Sequence, residues 1–317
     1  MSASTPRHSP LVSVVIATWN RSGMLRHALR SLQASTLEDW EAVVVGDHCT
    51  DDTEAVVRAL DDPRIRFTNL AENSGQQATP NNVGVTLARG RYLAFLNHDD
   101  LYLPDHLRRS VDLLERGTAD GPVDLLLSTY LVVLKGYQAQ ALNFGEGLST
   151  YVCGHEAGGT FDPEEWHVAS SWVMRREVAD RVGPWRTEAR VVVTPSQEWL
   201  FRAWRRGVRI HCAPEAGVVV IPSGPRLGSY NTDDFGEHAR VFDALVASGV
   251  DVSGAAAAHL AAPAPPPAAP SFKRRLHRLL QQAQMRLGVH PNTLRYLLTY
   301  GGRGAYVRQV AERTRRR

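Results

Sequence analysis

Cysteine is scarce in this sequence: Cys49, Cys153 and Cys212 are the only three in 317 residues. An odd number without metal-ligand spacing argues against a disulfide framework or a cysteine metal site, and fits a reducing, cytoplasmic setting. Long apolar runs are missing as well. No stretch of about 18 uncharged apolar residues occurs, so a membrane-spanning helix is not expected. The opening "MSASTPRHSP" lacks the basic-then-apolar order of a secretory signal. The first apolar strand leads into "TWNRSG", without the glycine spacing of a dinucleotide fold, which argues against a nicotinamide-dependent oxidoreductase. Acid is nearly absent from the C-terminal segment. Residues 271–317 hold twelve Lys or Arg and only Glu312 as an acid, a charge of +11 that leaves −8 on the rest of the chain. Such a basic segment suits nucleic acid or an anionic membrane surface, and charge alone does not choose between them.

What is present is an alternation. "LVSVVIAT" (11–18) is short, apolar and rich in β-branched residues, as in a strand covered on both faces. Ser22 is a candidate cap for a helix carrying Leu25, Ala28, Leu29 and Leu32. "WEAVVVGD" (40–47) and "IRFTNL" (65–70) read as further strands, with Asp51 or Asp52 capping the helix between them. "RYLAFLN" (91–97) is a fourth strand. Strand alternating with helix predicts an α/β fold with a doubly wound, mainly parallel sheet flanked by helices. Such sheets bind ligands beyond the carboxyl ends of their strands. Thr18-Trp19-Asn20, Asp47 and Asn97-His98-Asp99-Asp100 all fall there.

"VDLLLSTYLVVL" (123–134) predicts one or two strands, and "SSWVMRREVADRVG" (170–183) a strand running into a helix that ends at Gly183. "SQEWLFRAWRRG" (196–207) predicts a helix capped by Ser196, with Trp199, Leu200, Ala203 and Trp204 buried. The domain expectation is a catalytic body over 1–250, in halves of about 11–118 and 119–250. An Ala/Pro-rich linker over 251–270 and a basic helical extension over 271–317 follow it.

Two adjacent acids at a strand end repel unless a cation neutralises them. Mg²⁺ or Mn²⁺ suits such a place, because Mg²⁺ in particular takes one or two carboxylates and completes its shell with phosphate oxygens and water. The competing reading is a solvated turn in which Asp99 or Asp100 caps the next helix. Asp47 comes directly off its strand, where a carboxylate could accept the imide N–H of a uracil-like base. Trp19 suits either core packing or stacking on that base. Arg21 suits either a phosphate or plain solvation.

Together, "VSVVIATWNRSGMLRHALRSLQAST", "VVVGDHCTDDT", "ENSGQQ" and "NNVGVTLARGRYLAFLNHDDLYLP" resemble the family 2 glycosyltransferases, which have the GT-A fold. The resemblance covers 11–110 and resumes at "SSWVMRREVADRVGPW". It implies that Ala17, Thr18 and Trp19 line the nucleoside and that Asp47 reads the base. Asp99 and Asp100 correspond to the family's acidic "DXD"-type pair, the first facing the ribose and the second the metal. It further implies transfer of a sugar, with inversion, from a nucleotide diphosphate (UDP favoured) to an acceptor hydroxyl on a glycan or lipid-linked acceptor, as in cell-surface polysaccharide synthesis.

The general base is where the sequence departs from the family. Pro195 and Ser196 stand where an ungapped alignment puts the "ED" pair. A two-residue shift brings in Glu198, which reads equally as a first-turn acid favourable to the helix dipole. Glu156, Glu164 and Glu165 have no motif to locate them. Asn97 replaces a frequent acid, and "PNNVG" (80–84) replaces an Arg-bearing stretch. "IPSGPRLGSY" (221–230) lacks the family's frequent His, although Arg226 lies within it. His98, His211 and His238 read as structural. These departures keep open a second expectation, a nucleotide-binding relative that acts as an assembly or binding subunit. The C-terminal helix reads either as lying on an anionic membrane or as packed back on the body, with nucleic acid the less favoured partner.

Overall fold

β1 (Val12–Thr18) shows why the opening run is so uniformly apolar. Val12, Val14 and Ile16 pack with Leu25, Leu29 and Leu32 of α1 (Ser22–Gln33), while Val15 enters a second core on the opposite face. A strand covered on both sides has no wet face to alternate with. β2 (Trp40–Gly46) and β4 (Tyr92–Phe95) divide their side chains in the same way. The computed structural model describes residues 9–134, 141–144, 148–154, 159–222, 236–261 and 272–305.

The sheet runs β3 (Ile65–Asn69), β2, β1, β4, β9 (Trp172–Arg175), β6 (Leu125–Leu134), β10 (Ile210–Val220), β5 (Asp100–Tyr102). Its first four strands are parallel, with Thr18 opposite Gly46 and Val15 opposite Phe95. Beyond β4 the sheet is mixed. β9 is antiparallel to both β4 and β6, β6 and β10 are parallel, and β10 meets β5 antiparallel. β8 (Ser149–Cys153) extends from β6 and carries β7 (Leu142–Asn143). One face is covered by α1 and α4 (His106–Arg116), the other by α5 (Arg176–Val182) and α6 (Pro195–Arg205). α2 (Thr53–Ala59) and α3 (Ala78–Leu87) complete the parallel half. The predicted α/β architecture is therefore present, with the parallel order confined mostly to the N-terminal half.

A third core lies under the β10–β5 edge, where Leu101, Leu131, Val219 and Ile221 meet Val241, Phe242 and Leu245. These last belong to α7 (Gly236–Phe242) and the π-helical turn Asp243–Ala247. α8 (Val252–Ala261) packs here too, burying Val252 and Ala256, and its Ser253 hydroxyl donates to the Ala216 carbonyl at 2.6 Å. The segment expected to begin as a linker at 251 thus starts as a packed helix, because alanine favours helix until proline stops it. The proline-rich remainder, 262–270, lies outside the described residues. α9 (Phe272–Arg286) and α10 (Thr293–Tyr300) follow.

Two expected helix caps differ. α1 starts at Ser22, whose backbone N–H donates to Asp51 Oδ2 at 3.3 Å, so the cap arrives from the neighbouring loop. α6 starts at Pro195 with Thr194 as its cap, the Thr194 hydroxyl accepting from Gln197 N–H at 3.4 Å. Proline in the first turn loses no intrahelical bond. Trp199, Leu200 and Ala203 are buried as expected, but Phe201 takes the buried place predicted for Trp204, which is exposed.

α4 carries a buried imidazole. His106 stacks obliquely on Tyr102, ring centroids 4.5 Å apart, and burial pushes its pKa down to about 3. Both its ring nitrogens lack a partner among the described residues. A group neutral in the folded state but basic when unfolded lends stability that is complete above its unfolded value of 6.5 and lost as pH falls below it. The loss is about 1.4 kcal/mol per pH unit for one proton. His106→Leu should therefore flatten the decline of unfolding free energy between pH 6 and pH 4.5 by one proton. An unchanged slope in denaturant titrations would contradict this.

Candidate active site

The carboxyl ends of β1, β2 and β4 are tied together before any ligand is considered. Asp47 N–H donates to the Thr18 carbonyl at 2.8 Å, and His98 Nδ1 donates to the Ala17 carbonyl at 3.2 Å. Asn20 adopts φ +48°, a left-handed conformation that asparagine tolerates. Its Oδ1 accepts from Thr50 N–H at 2.8 Å, which joins the loop after β1 to the loop after β2. Trp19 is 42% exposed at the mouth of β1, whereas Thr18 is buried. Arg21 is buried as well, so it is not a solvated surface charge.

Asp47 is buried and its carboxylate is engaged. Oδ1 accepts from Ser74 N–H at 2.9 Å and Oδ2 from Gly75 N–H at 3.0 Å, while its backbone carbonyl accepts from Asn73. Gly75, at φ +68°, makes that loop possible. The acid expected to read a base thus also anchors the "ENSG" turn, leaving one lone pair on each oxygen.

The acidic pair divides sharply. Asp99 is half-buried in the turn after β4, whereas Asp100 begins β5 and is only 2% exposed. Asp100 Oδ2 accepts from Asn97 Nδ2 at 2.8 Å and from the Ser170 hydroxyl at 2.5 Å, and the Ile221 amide also donates to this carboxylate. Burial and the adjacent Asp99 charge nonetheless push the Asp100 pKa up to about 8. Asn97 is fixed in turn by Gln77 Nε2 at 2.7 Å. This chain of donors explains asparagine at 97, since an ionised acid there could not donate to Asp100.

His238 also belongs to this cluster. It is buried on α7, and its Nε2 lies 3.2 Å from the Asp99 carbonyl. A carbonyl only accepts, so Nε2 carries the proton and Nδ1 keeps its lone pair, with no partner among the described residues. Burial lowers its pKa, partly offset by Asp99. No spacing in the chain links His238 to Asp99, 139 residues away. Arg226 and Glu156 lie outside the described residues.

The half of the body expected to face the acceptor contains three packed tryptophans. Trp172 stacks on Trp185 at 5.4 Å and on Trp199 at 5.6 Å, and Phe95 meets Trp185 edge-on at 5.1 Å. Asn82 locks Trp185 through its backbone, accepting from N–H at 2.8 Å and donating to the carbonyl at 3.0 Å. The asparagine of "PNNVG" therefore makes a structural contact. Glu198 precedes Trp199 and is clamped by arginines: Oε1 is 3.1 Å from Arg202 Nε and 3.0 Å from Arg186, and Oε2 is 3.1 Å from Arg202. Glu188, three residues after Trp185, is different. Its N–H donates to Gln76 Oε1 at 3.0 Å, beside the Gln77 that holds Asn97, and burial raises its side-chain pKa to about 7. No motif pointed to Glu188, because its environment comes from the fold.

Among the described residues no cluster of three or more His, Cys, Asp or Glu is arranged as a closed metal site. What the pair offers is hard oxygen donors and a buried carboxylate that, among the described residues, has no Lys or Arg paired with it. That fits Mg²⁺ or Mn²⁺ held sparsely, with the remaining ligands from phosphate and water. Of the two, Asp99 is the reachable carboxylate, while Asp100, expected to meet the metal, is already satisfied by three donors.

Residues 13–183 match the family model described as glycosyl transferase family 2. The succinoglycan biosynthesis protein ExoO of Rhizobium meliloti is 38% identical over 117 residues, 37% of this chain and 33% of that protein. The poly(ribitol-phosphate) beta-N-acetylglucosaminyltransferase TarP of Staphylococcus aureus is 31% identical over 139 residues, 43% of this chain and 41% of that protein. The matches thus span about a third to two fifths of these relatives. Among solved structures, S. aureus TarS 1–349 in complex with UDP superposes with a TM-score of 0.56 at 18% identity, covering 91% of this chain and 75% of that one. The mannosyltransferase PcManGT of Pyrobaculum calidifontis, in complex with GDP-Man and Mn²⁺, gives 0.50 at 19% identity, covering 99% and 89%. At these identities the superpositions bear on the fold alone, a GT-A-like sheet flanked by helices. A family model spanning more than half of the chain, and relatives named as glycosyltransferases, place the assignment beyond the motifs alone: this chain belongs to glycosyl transferase family 2.

Proposed function

We propose that the protein is a metal-dependent, inverting glycosyltransferase that moves a sugar from a nucleoside diphosphate, UDP favoured, to a hydroxyl on a glycan or lipid-linked acceptor. The observation that carries this reading is the pair Asp99–Asp100 at the strand ends that also hold Trp19 and Asp47, with no Lys or Arg on Asp100 among the described residues. Trp19 would stack on the base, Asp47 would accept its imide N–H, and Ala17 and Thr18 would line the nucleoside. Asp99 and Asp100 would hold Mg²⁺ or Mn²⁺ against the diphosphate, with Asp99 reached first and Asp100 behind it. Arg21, inside the same loop, would add positive potential toward the phosphates. When bound, the cation supplies the charge that stabilises the departing diphosphate without proton transfer.

Inversion in one displacement needs a base for the acceptor hydroxyl proton and no covalent nucleophile. Glu198, which a two-residue shift brings onto the family's acid position, would be the base, held in orientation by Arg186 and Arg202. A specific observation favours a second reading, in which Glu188 takes the proton: burial holds it near neutrality, and it sits beside the Gln76–Gln77 turn.

The test is release of nucleoside diphosphate from a panel of UDP- and GDP-sugars with Mn²⁺ and hydroxyl acceptors. Turnover with UDP-sugars is expected. Calorimetric UDP binding without turnover on any donor would instead make the protein a nucleotide-binding assembly subunit.

A further inference from the structure

α9 buries glutamine and exposes leucine, the reverse of what packing against a protein body rewards. At 100° per residue, Leu279, Leu280, Ala283 and Leu287 share one arc of about 100°, and Gln281 lies on the far side. Leu279 is 62% and Leu287 is 81% exposed, whereas Gln281 is 4% exposed. α10 repeats the pattern. Leu294, Leu297 and Leu298 share an outward face, Leu298 at 80% exposure, while Tyr296 and Tyr300 are half-buried.

The two helices are nevertheless anchored. Asn292 Nδ2 donates to the Glu164 carbonyl at 3.1 Å, His290 meets the Phe201 ring edge-on at 5.1 Å, and Gly304 N–H donates to the Val191 carbonyl at 3.1 Å. Arg205 of α6 also donates to the Gly288 carbonyl at 3.2 Å. The leucines therefore point outward from a docked segment, and Arg286 and Arg295 are exposed among them.

We propose that this leucine face is a docking surface for an anionic lipid bilayer. A surface that is apolar at its centre and cationic around it complements acyl chains beneath negatively charged headgroups. A second copy would set +11 against +11 over residues 271–317, and a nucleic acid would engage the arginines but leave the leucines wet. Among the described residues no single helix is long and apolar enough to cross a membrane. The segment docks on α6, which carries Glu198, so a bilayer bound here would lie on the acceptor side of the body. This inference stands on exposure and charge and does not require the transferase reading.

The full chain should float with phosphatidylcholine vesicles containing phosphatidylglycerol, and not with phosphatidylcholine alone, and added salt should weaken the association. The double variant Leu287→Glu/Leu298→Glu changes only exposed positions. It should keep UDP affinity and lose vesicle binding by about a hundredfold or more, about tenfold for each leucine withdrawn from the bilayer. Absence of flotation with anionic vesicles would overturn the proposal, as would a double variant that floats like the parent. A dimer dissolved by the same double variant, without vesicle binding, would give the face to a second copy. RNA binding that survives the double variant, again without flotation, would give the arginines to nucleic acid.

Discussion

Asp99→Ala should lower sugar transfer by about a thousandfold while leaving unfolding free energy nearly unchanged. Electrostatic stabilisation of a leaving group is worth several kcal/mol in rate, and Asp99 is the member of the acid pair that a ligand reaches from solvent. Asp100→Asn should behave differently. Its carboxyl accepts from Asn97, Ser170 and the Ile221 amide, so an amide in its place sets an N–H against one of those donors. The expected cost is about 1–3 kcal/mol of stability, with activity falling alongside. Denaturant titration and initial-rate assays on the two variants separate the roles. An Asp99→Ala enzyme with near-parental activity would remove Asp99 from the site. An Asp100→Asn enzyme that keeps its stability but loses all response to Mn²⁺ would place the cation on Asp100, as the family resemblance implies.

Glu198→Gln should cost about 10²–10⁴ in kcat, the usual contribution of a general base, with UDP binding retained. Glu188→Gln should leave kcat within a few-fold and act on stability instead. Its folded pKa of about 7 lies above the ordinary value of 4.5, so the unfolded chain ionises first as pH rises. Folded stability therefore declines between about pH 4.5 and 7 on this account, and the loss persists at higher pH. Removing the charge should make the Gln variant more stable than the parent at pH 8, by about 1–2 kcal/mol once the shift is discounted for the group's partial exposure, and indistinguishable near pH 4. The reverse kinetic outcome, with Glu188→Gln losing kcat and the acid limb near pH 7 in the rate profile, would transfer the base role to Glu188.

The parallel half was legible because its strands are buried on both faces. Short, β-branched runs such as Val14–Ile16 and Val43–Val45 read as strands by length and residue type, and the polar residues that follow each run lie at the strand ends. Thr18, Asp47 and Asn97–Asp100 therefore fall at one edge, where the structure has them. The antiparallel insertion of β9 between β4 and β6 leaves no periodic trace, because its pairing partners lie far apart in sequence. The donors that fix Asp100 were hidden for the same reason: Ser170 arrives on a 3-10 turn at Ala169–Ser171, and the Ile221 amide follows β10. A helix end depends on which neighbouring loop or residue supplies its acceptor, so Asp51 and Thr194 cap the helices where Ser22 and Ser196 stand as local candidates. The basic segment was legible as charge, but the outward turn of Leu279 and Leu287 depends on the docking of Asn292 and His290.

The most direct measurement is anomalous scattering at the manganese edge from crystals grown with UDP and Mn²⁺. The account predicts one peak within coordination distance of an Asp99 or Asp100 carboxylate oxygen, about 2.0–2.4 Å, bridged to the diphosphate. UDP bound at Trp19 and Asp47 with no manganese peak at the pair would contradict it.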